Sequence, residues 1–186
     1  LFSGRLVSQK QPLVMIRAFH LLLTKMSQKN AGKPLTRMAP DARLIIAGDG
    51  ALRGQLESYV KEHGIADAVQ FLGKISHARM ISVVHAADIM LMTSEMEGIP
   101  VAMIEAMSIG VVPVSTDVGG ISELVNSGSN GFLHRVGDNT GMVESLLLLA
   151  EDSKTRSSMS RLCRKWTAEH FSMATMQRGV VKAFET

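Results

Sequence analysis

Short apolar runs alternate along the chain with longer segments in which apolar residues recur every three or four positions. The short runs are typical of buried strands, and the longer segments are typical of amphipathic helices. The runs predict strands at Leu1–Val7, Arg43–Ala47, Val69–Leu72, Asp88–Thr93, Val111–Ser115 and Gly131–Leu133. The longer segments predict helices at Leu13–Lys25, Leu52–His63, Ala78–His85, Val101–Ser108, Ile121–Asn126, Thr140–Glu151, Lys154–His170 and Met173–Phe184.

The regular alternation of strand and helix indicates the fold class. Parallel strands need helical crossovers, and strands that are apolar throughout are typical of sheets covered on both faces. We therefore expect an α/β fold. It would contain a doubly wound, Rossmann-like parallel sheet of about six strands, with helices on both faces and extra helices at the C-terminal end.

The length and composition suit a single globular domain. The chain has 186 residues, of which 46% are apolar and 20% are charged, and this is enough to build a core. The polar segment Ser27–Pro40 predicts a surface loop that lengthens the first crossover. The alternation continues without an internal boundary, and the chain begins directly on a strand, as expected of a domain excised from a longer protein.

Cysteine content and charge narrow the cellular setting. The single cysteine, Cys163, can form no internal disulfide, which is typical of a reducing compartment, so we expect a cytoplasmic location. The net charge is +3, and a basic cluster near the end is either a solvated helix face or a surface for anionic lipid at the inner face of the membrane. Its residues are Lys154, Arg156, Arg161, Arg164 and Lys165. Aromatic residues make up only 4%, so base stacking is poorly supported and we expect no nucleic-acid partner.

The stretch Ser94–Gly110 carries the most informative chemistry. A buried strand is expected to end near Thr93, and a polar loop follows. Pro100 suits the first position of the next helix, because its missing N–H needs no partner there. The N–H groups around this helix start are those of Gly98, Ile99 and Val101. A helix N-terminus of this kind is a natural seat for phosphate.

Two carboxylates flank that helix start. Glu105 lies on a helix that is apolar almost all round, where a carboxylate is costly unless it is satisfied. It therefore either pairs with a buried arginine or accepts hydrogen bonds from a polyol ligand. Glu97 is either a solvated loop residue or a second contact to the same ligand. The helical rise puts the two carboxylates roughly 10 Å apart, too far for the carboxyl pair of a retaining glycosidase.

A cationic element follows the first predicted strand. Gly4 would let the backbone approach a ligand, Arg5 offers a planar fork to phosphate, and Lys10 offers a point charge. Open α/β sheets bind their ligands at this carboxyl edge. Taken alone, an arginine and a lysine in a loop are usually ordinary surface residues.

Two glycine pairs follow other strands. Gly48 and Gly50, with Gly54, resemble the glycine fingerprint of dinucleotide-binding proteins, but they follow the second strand and lack the expected acidic residue about 20 positions later. We expect them to shape a tight turn beside a ligand. Gly119–Gly120 is explained equally well by turn geometry and by close approach to a ligand.

Motifs for several other chemistries are missing from the sequence. The six histidines show no metal-ligand spacing, HExxH is absent, and a single cysteine cannot form CxxC. There is no Gly-x-Ser-x-Gly elbow and no Walker phosphate loop. We therefore expect no metal ion in the site.

In this order, the elements resemble the C-terminal domain of retaining glycosyltransferases of family four, which have the B-type fold of two Rossmann domains. The resemblance covers nearly the whole chain, and its Glu-x7-Glu stretch is fairly specific in that company. The matching segments are GRLVSQK at Gly4–Lys10, IIAGDG at Ile45–Gly50, VQFLG at Val69–Gly73, EGIPVAMIEAM at Glu97–Met107, GVVPVSTDVGG at Gly110–Gly120 and ELVNSGSNGFL at Glu123–Leu133.

The resemblance implies a binding site for a nucleoside-diphosphate sugar. It assigns Arg5 and Lys10 to the diphosphate, Glu105 to the ribose hydroxyls and Glu97 to the donor sugar, with Arg5, Lys10 and Glu97 as catalytic residues. Further contacts are expected at Gly4, Gly48, Lys74, Ile75, Gly98, Ile99, Pro100 and Val101. Among these, the segment around Lys74 and Ile75 would border the base.

The chain departs from the family pattern at two places. Many members have Lys-Gly where this chain has Lys10 and Gln11. Many have an aromatic residue and a glycine where it has Ile99 and Pro100. The second change removes one backbone donor and bears on the choice of sugar.

The resemblance implies transfer of a sugar to an acceptor with retention of configuration. Arg5, Lys10 and the helix start would stabilise the charge that develops on the leaving oxygen, so no metal or other cofactor would be required. A sugar-nucleotide epimerase and a non-catalytic nucleotide-sugar-binding module are the alternatives.

The resemblance also suggests how the chain is organised. Residues 1–170 would form the nucleotide-sugar-binding domain, and residues 171–186 a helix that packs on a missing N-terminal acceptor domain. The acceptor, whether lipid, glycan or small molecule, is not specified. The isolated domain is expected to be inactive.

Overall fold

The computed structural model describes residues 1–29 and 42–171. Its strands are β1 (Phe2–Ser3), β2 (Leu44–Ala47), β3 (Val69–Gly73), β4 (Ile89–Met92), β5 (Val112–Thr116) and β6 (Phe132–His134). Its helices are α1 (Pro12–Lys29), α2 (Arg53–Glu62), α3 (His77–His85), α4 (Val101–Ser108), α5 (Ile121–Leu124), α6 (Asn139–Glu151) and α7 (Ser153–His170). Short 3-10 turns at Ser8–Lys10 and Ala66–Ala68 precede α1 and β3.

The described strands form one parallel sheet. Two parallel ladders, in the orders β1-β2-β3 and β4-β5-β6, are joined at Leu1. The Leu1 nitrogen donates to the carbonyl oxygen of Ile89 at 2.8 Å, and the Leu1 carbonyl accepts from the Leu91 N–H at 2.9 Å. The strand order across the sheet is therefore β3-β2-β1-β4-β5-β6. Sheets of this order have a switch point between β1 and β4, and ligands bind in the crevice at its carboxyl end.

Helices cover both faces of this sheet. Helix α1 packs on α2 and α6, helix α4 packs on α7, and β5 contacts both α6 and α7. Strand β5 is buried over its whole length, as expected when both faces are covered. The doubly wound α/β fold expected from the sequence is thereby confirmed.

Local sequence explains where several helices begin. Pro12 is the first residue of α1, a position where its missing N–H costs nothing. The side chains of Ser76, Asp138 and Asp152 accept hydrogen bonds from first-turn N–H groups of α3, α6 and α7. These bonds satisfy donors that have no partner within the helix.

A cluster of rings joins α1 to the end of α2. His20 Nδ1 lies 3.0 Å from Tyr59 Oη, and the Tyr59 and His63 rings are stacked with their centroids 3.9 Å apart. Burial lowers the pKa of His20 from its ordinary 6.5, and repulsion from His63 lowers this pKa further. The cluster therefore favours a neutral His20 in the folded chain.

Strand β1 ends earlier than the sequence predicted, at Ser3 rather than Val7. Beyond it, the N–H groups of Gly4 and Leu6 donate to the carbonyl oxygens of Ala47 and Asp49, each at 3.0 Å. These bonds carry the chain over the end of β2 instead of prolonging the ladder with β4. Residues 4–11 thus form a loop across the carboxyl edge of the sheet.

Other boundaries also differ from the prediction. Helix α5 ends at Leu124 rather than Asn126, because the Asn130 side chain donates to the Leu124 carbonyl at 3.1 Å and accepts from the Asn126 N–H at 2.7 Å. Residues 27–29, predicted as part of a loop, belong to α1. The rest of that loop, the helix predicted at Met173–Phe184 and nearly all of segment 171–186 lie outside the described residues.

The basic cluster near the end of the chain lies on α7 and partly serves to pack it. Arg156 Nε lies 3.5 Å from Asp88 Oδ1, and Arg164 donates to the carbonyl oxygen of Ile109 at 3.1 Å. These contacts link α7 to the segments that flank β4 and β5. Within the described residues, no helix has the length and hydropathy to cross a bilayer.

Candidate functional site

Lys10 and Glu97 form an ion pair at the carboxyl end of the switch point between β1 and β4. Lys10 Nζ lies 2.5 Å from Glu97 Oε1 and 2.6 Å from Oε2. The Glu97 side chain is only 8% exposed, and the Lys10 side chain is 21% exposed. The interpretation of Glu97 as a solvated loop residue is therefore wrong, because its carboxylate is both buried and paired.

A serine holds the same carboxylate from the interior. Ser94 Oγ donates to Glu97 Oε1 at 2.6 Å, and Ser94 is itself buried. Thr116, at the end of β5, donates from Oγ1 to the Ser94 carbonyl at 2.6 Å. Neither hydroxyl was expected from the sequence, although polar residues at the carboxyl ends of otherwise apolar strands are a recognisable signal. The neighbouring strand therefore fixes Glu97 through Ser94.

The loop between β1 and α1 is tied to the loop after β4. Thr93 Oγ1 lies 3.1 Å from the carbonyl oxygen of Lys10 and 2.9 Å from that of Gln11, and donates to both. The Gln11 amide donates to Glu95 Oε1 at 2.7 Å. These contacts fix the backbone that carries Lys10 relative to the backbone that carries Glu97.

Gln11 accounts for one departure from the family pattern. Its φ of 47° lies in the left-handed region, which glycine adopts far more readily than other residues. The family pattern has glycine at this position. In this chain the Gln11 side chain instead makes the hydrogen bond with Glu95, a stabilising contact that glycine could not provide.

The glycines after β2 serve backbone packing. A Cβ atom at Gly48 would overlap the carbonyl oxygen of Gly4, and one at Gly50 would lie 2.5 Å from that of Leu6. The close neighbour of both glycines is thus the loop after β1, and their contact with a ligand stays a prediction. Their role is to let that loop, with Arg5, cross the edge of the sheet.

Two interpretations were open for the Gly119–Gly120 pair. Like the glycines after β2, this pair packs against the backbone of another loop, the one that follows β4. Gly119 has a φ of 57°, and a Cβ atom there would overlap the carbonyl oxygen of Glu97. The Gly120 N–H donates to the Gly98 carbonyl at 3.1 Å. The turn after β5 thus supports the loop that carries Glu97.

Helix α4 is only half buried, which corrects the expectation for Glu105. Met103 and Met107 are buried, whereas Val101 is 65% exposed and Glu105 is also exposed. Of the two alternatives for Glu105, the pairing with a buried arginine does not occur within the described residues. Its carboxylate lies one turn beyond Val101 on an open face.

The start of α4 is free to receive an anion. Pro100 is the N-cap rather than the first helical residue, and no side chain of residues 1–29 or 42–171 caps this end. Within the described part of the chain, the N–H groups of Val101 and Ala102 have no hydrogen-bond acceptor. Such unpaired donors, with the helix dipole behind them, favour bound negative charge.

The remaining predicted residues lie along the same carboxyl edge without converging on one closed pocket. Arg5 is exposed and has no side-chain partner among the residues the structure describes. Lys74 is exposed and Ile75 is half-buried directly after β3. Ile99 is 44% exposed in the loop after β4. The structure therefore brings Lys10 and Glu97 together and leaves Arg5, Lys74 and Ile99 exposed.

One cavity lies near the carboxyl edge of the sheet, and another lies at the opposite edge. One of about 220 Å³, beside the ion pair, is lined by Gln11, Thr93, Glu95, Thr116 and residues of the loop after β6. One of about 350 Å³ lies at the opposite, amino-terminal edge, where Leu44 and Ile89 begin their strands. Neither is lined by Arg5, Lys10, Glu97 or Glu105. The four residues therefore line neither of these two cavities.

Comparison with known sequences finds a family match and several relatives. The chain matches the model of the family "Glycosyl transferases group 1" over residues 1–166. It is 34% identical over 146 residues to N-acetyl-alpha-D-glucosaminyl L-malate synthase of Bacillus anthracis, which covers 78% of this chain and 37% of that protein. It is 26% identical over 144 residues to alpha-D-kanosaminyltransferase of Streptomyces kanamyceticus, covering 77% and 37%. The chain thus spans little more than a third of the length of these relatives.

Solved structures show the same fold. Anabaena Alr3699/HepE in complex with UDP is similar with a TM-score of 0.80 and 22% identity, over 99% of this chain and 47% of that one. The C-terminal domain of a group 1 glycosyl transferase (LpcC) of Francisella tularensis has a TM-score of 0.79 and 22% identity, over 92% and 85%. The second comparison matches the chain to most of a domain that was crystallised alone.

Proposed function

The chain belongs to the family of group 1 glycosyl transferases, and from that premise we propose that it is the donor-binding half of a glycosyltransferase. The enzyme would move a sugar from a nucleoside-diphosphate sugar to an acceptor with retention of configuration. The observation that carries the proposal is the contact between Lys10 and Glu97. It brings a cation and a carboxylate, from two separate loops, to the edge where sheets of this order bind ligands.

The diphosphate is proposed to bind between the loop after β1 and the start of α4. Lys10 supplies a point charge, and Arg5, which has no partner among the described residues, supplies a planar fork. The free N–H groups of Val101 and Ala102 add helix-end donors. Together these groups would stabilise the negative charge that develops on the leaving oxygen, and no metal ion is needed in this scheme.

The sugars are proposed to bind on either side of the diphosphate. Glu97 would accept hydrogen bonds from hydroxyl groups of the donor sugar, with backbone contacts from the loop that it shares with Gly98 and Ile99. Glu105, exposed on α4, is free to accept hydrogen bonds from the ribose hydroxyls. The segment around Lys74 and Ile75 would border the base.

The acceptor is proposed to bind to a second domain that this chain does not include. Support comes from the lengths of the relatives, of which the chain spans little more than a third. Met96, Ile99 and Val101 also expose apolar surface around Glu97, at 66%, 44% and 65%. The isolated chain would therefore bind a nucleoside diphosphate but transfer nothing.

Calorimetric titration of the full-length protein with UDP, GDP and ADP tests the donor site. One of the three should bind with measurable heat, and a preference identifies the base. If none binds, the proposed site is wrong. With the preferred nucleotide sugar, NMR of the product should show a glycoside of unchanged anomeric configuration; an epimerised free donor would instead identify an epimerase.

A matched pair of variants tests the role of Glu97 in the full-length protein. Glu97→Gln should nearly abolish transfer while nucleotide binding survives. Glu95→Gln, which removes the same charge from the same loop, should retain most of the activity. Unchanged turnover in Glu97→Gln would contradict the assignment.

A further inference from the structure

We propose that the ion pair between Lys10 and Glu97 makes the site discriminate a nucleoside-diphosphate sugar from the bare nucleoside diphosphate. The inference rests on the proposed donor site and concerns a property that this assignment alone does not predict. Without a ligand, each charge neutralises the other, at 2.5 and 2.6 Å. A ligand that needs Lys10 must therefore compete with Glu97.

Withdrawing Lys10 leaves Glu97 in an unfavourable state. The Glu97 side chain is only 8% exposed, so water has little access to its oxygens. Once Lys10 has turned to a diphosphate, Ser94 remains as a donor to Oε1, and Oε2 loses the donor that it has in the structure. A buried carboxylate that loses its counterion and a hydrogen bond is strongly disfavoured.

The carboxylate cannot readily escape to solvent. Ser94 holds it from the interior, and Thr116 holds Ser94 by its carbonyl group. The Glu97 backbone rests on Gly119, where there is no room even for a methyl group. The cost of an unpaired Glu97 is therefore imposed by the structure around it.

A nucleotide sugar removes this cost, and a bare diphosphate does not. The hydroxyl groups of the donor sugar can donate to Glu97 while the diphosphate takes Lys10, so each charge exchanges one partner for another. After transfer, the nucleoside diphosphate that remains would compete with the re-forming ion pair. The pair would therefore favour entry of the donor and release of the spent nucleotide.

Dissociation constants of the nucleoside diphosphates test the inference in the full-length protein. UDP, GDP and ADP are titrated into the wild type, Glu97→Gln and Glu95→Gln, and the tightest ligand of the three is compared across the proteins. Glu97→Gln should bind it roughly tenfold more tightly than the wild type, because Lys10 is released from its counterion. Glu95→Gln keeps a side-chain oxygen that can accept from the Gln11 amide. It should therefore bind the nucleotide nearly as the wild type does, and it controls for the removal of a negative charge from this loop.

A second variant tests the role of the enclosure. Ser94→Ala keeps both charges but frees the carboxylate to turn toward water, so its gain in affinity for the diphosphate should be smaller than that of Glu97→Gln. If Glu97→Gln binds the diphosphate no more tightly than Glu95→Gln, the inference is wrong and the donor site stands. If none of the three nucleotides binds to the wild type, the donor site itself is wrong and the inference falls with it.

Discussion

Gly119 lies so close to the carbonyl group of Glu97 that a Cβ atom at position 119 would overlap its oxygen. Gly119 follows β5, whereas Glu97 follows β4, so the contact joins the turns of two neighbouring strands. The left-handed φ of 57° at Gly119 brings the turn between β5 and α5 into this position. The candidate site therefore depends on a residue that makes no hydrogen bond to any of its side chains.

Replacing Gly119 should lower the free energy of unfolding more than replacing another glycine with a left-handed backbone. Gly128 has a φ of 83°, and a Cβ atom there would have open space. Gly128→Ala should cost about 1–2 kcal/mol for the left-handed backbone alone. Gly119→Ala adds the overlap and should cost about 3 kcal/mol or more. Chemical denaturation measures both, and equal losses would show that the overlap relaxes without cost.

Thr116→Val tests the bond that positions Ser94. Valine has the same shape but cannot donate to the Ser94 carbonyl, so a buried acceptor loses its partner at a cost of about 1–3 kcal/mol. Thr24→Val is the control, because the Thr24 hydroxyl returns to the His20 carbonyl within the same helix. Thermal unfolding should show a large shift for the first variant only. Similar shifts for both variants would mean that the bond to the Ser94 carbonyl contributes no more to stability than the bond within the helix.

Arg5→Ala should weaken binding of a nucleoside diphosphate roughly tenfold and leave binding of the nucleoside unchanged, since the guanidinium group addresses phosphate. Arg43→Ala is the control, because Arg43 is exposed at the amino-terminal edge of the sheet, away from the site. Fluorescence or calorimetric titration gives both constants. Equal losses of affinity for the nucleoside and the nucleoside diphosphate would show that Arg5 does not bind phosphate.

The stability of the fold should fall as the pH drops below about 6.5. The unfolded His20 takes up a proton near its ordinary pKa of 6.5, whereas in the folded chain burial and then His63 lower that pKa. Between the two values the unfolded state binds more protons, so lower pH favours unfolding, and above 6.5 this contribution is constant. Denaturant unfolding between about pH 7.5 and 5 should show that the free energy of unfolding falls as the pH falls; this slope measures the effect.

Two histidine variants identify the source of that slope. His20→Gln should reduce it, because one group whose pKa is lowered in the folded chain is removed. The Leu1 amino group, whose pKa burial lowers from 8.0 to about 6, should keep part of the slope in place. His77→Gln, a change at an exposed position on α3, should leave it intact. A slope that is as steep in His20→Gln as in the unchanged chain would show that His20 does not contribute to the pH dependence.

Cys163 should be almost unreactive until the chain opens. Burial raises the pKa of its thiol from 9.0 to about 12, and Sγ donates to the Asn130 carbonyl at 2.9 Å. Three pKa units reduce the thiolate fraction roughly a thousandfold. Alkylation by iodoacetamide, followed by mass spectrometry, should be slow in the native chain and fast in denaturant. Comparable rates would show that Cys163 is accessible in the folded state.

The sheet and its helices could be predicted because their signals are local. Apolar runs mark the buried strands, and the recurrence of apolar residues in α1 marks its packed face. The early end of β1 could not be predicted in the same way. It depends on Gly48 and Gly50, which are more than forty positions away in the chain and receive the backbone of residues 4–6.

The candidate site was predictable in its location but not in its contacts. The family pattern put Lys10 and Glu97 at one edge, yet only the folded chain shows that they pair with each other. The burial of the helix that carries Glu105 was misjudged, because an exposed apolar residue looks the same in sequence as one in the core. Val101, 65% exposed on that helix, is such a residue.

The glycine contacts at the carboxyl edge have a consequence for how a ligand would be received. The loops after β1, β2, β4 and β5 rest on one another through their backbones, so their conformational entropy is already lost when the chain folds. Such a preorganised rim leaves little main chain to be ordered on binding. Rearrangement of this edge on ligand binding would then be confined to side-chain rotamers.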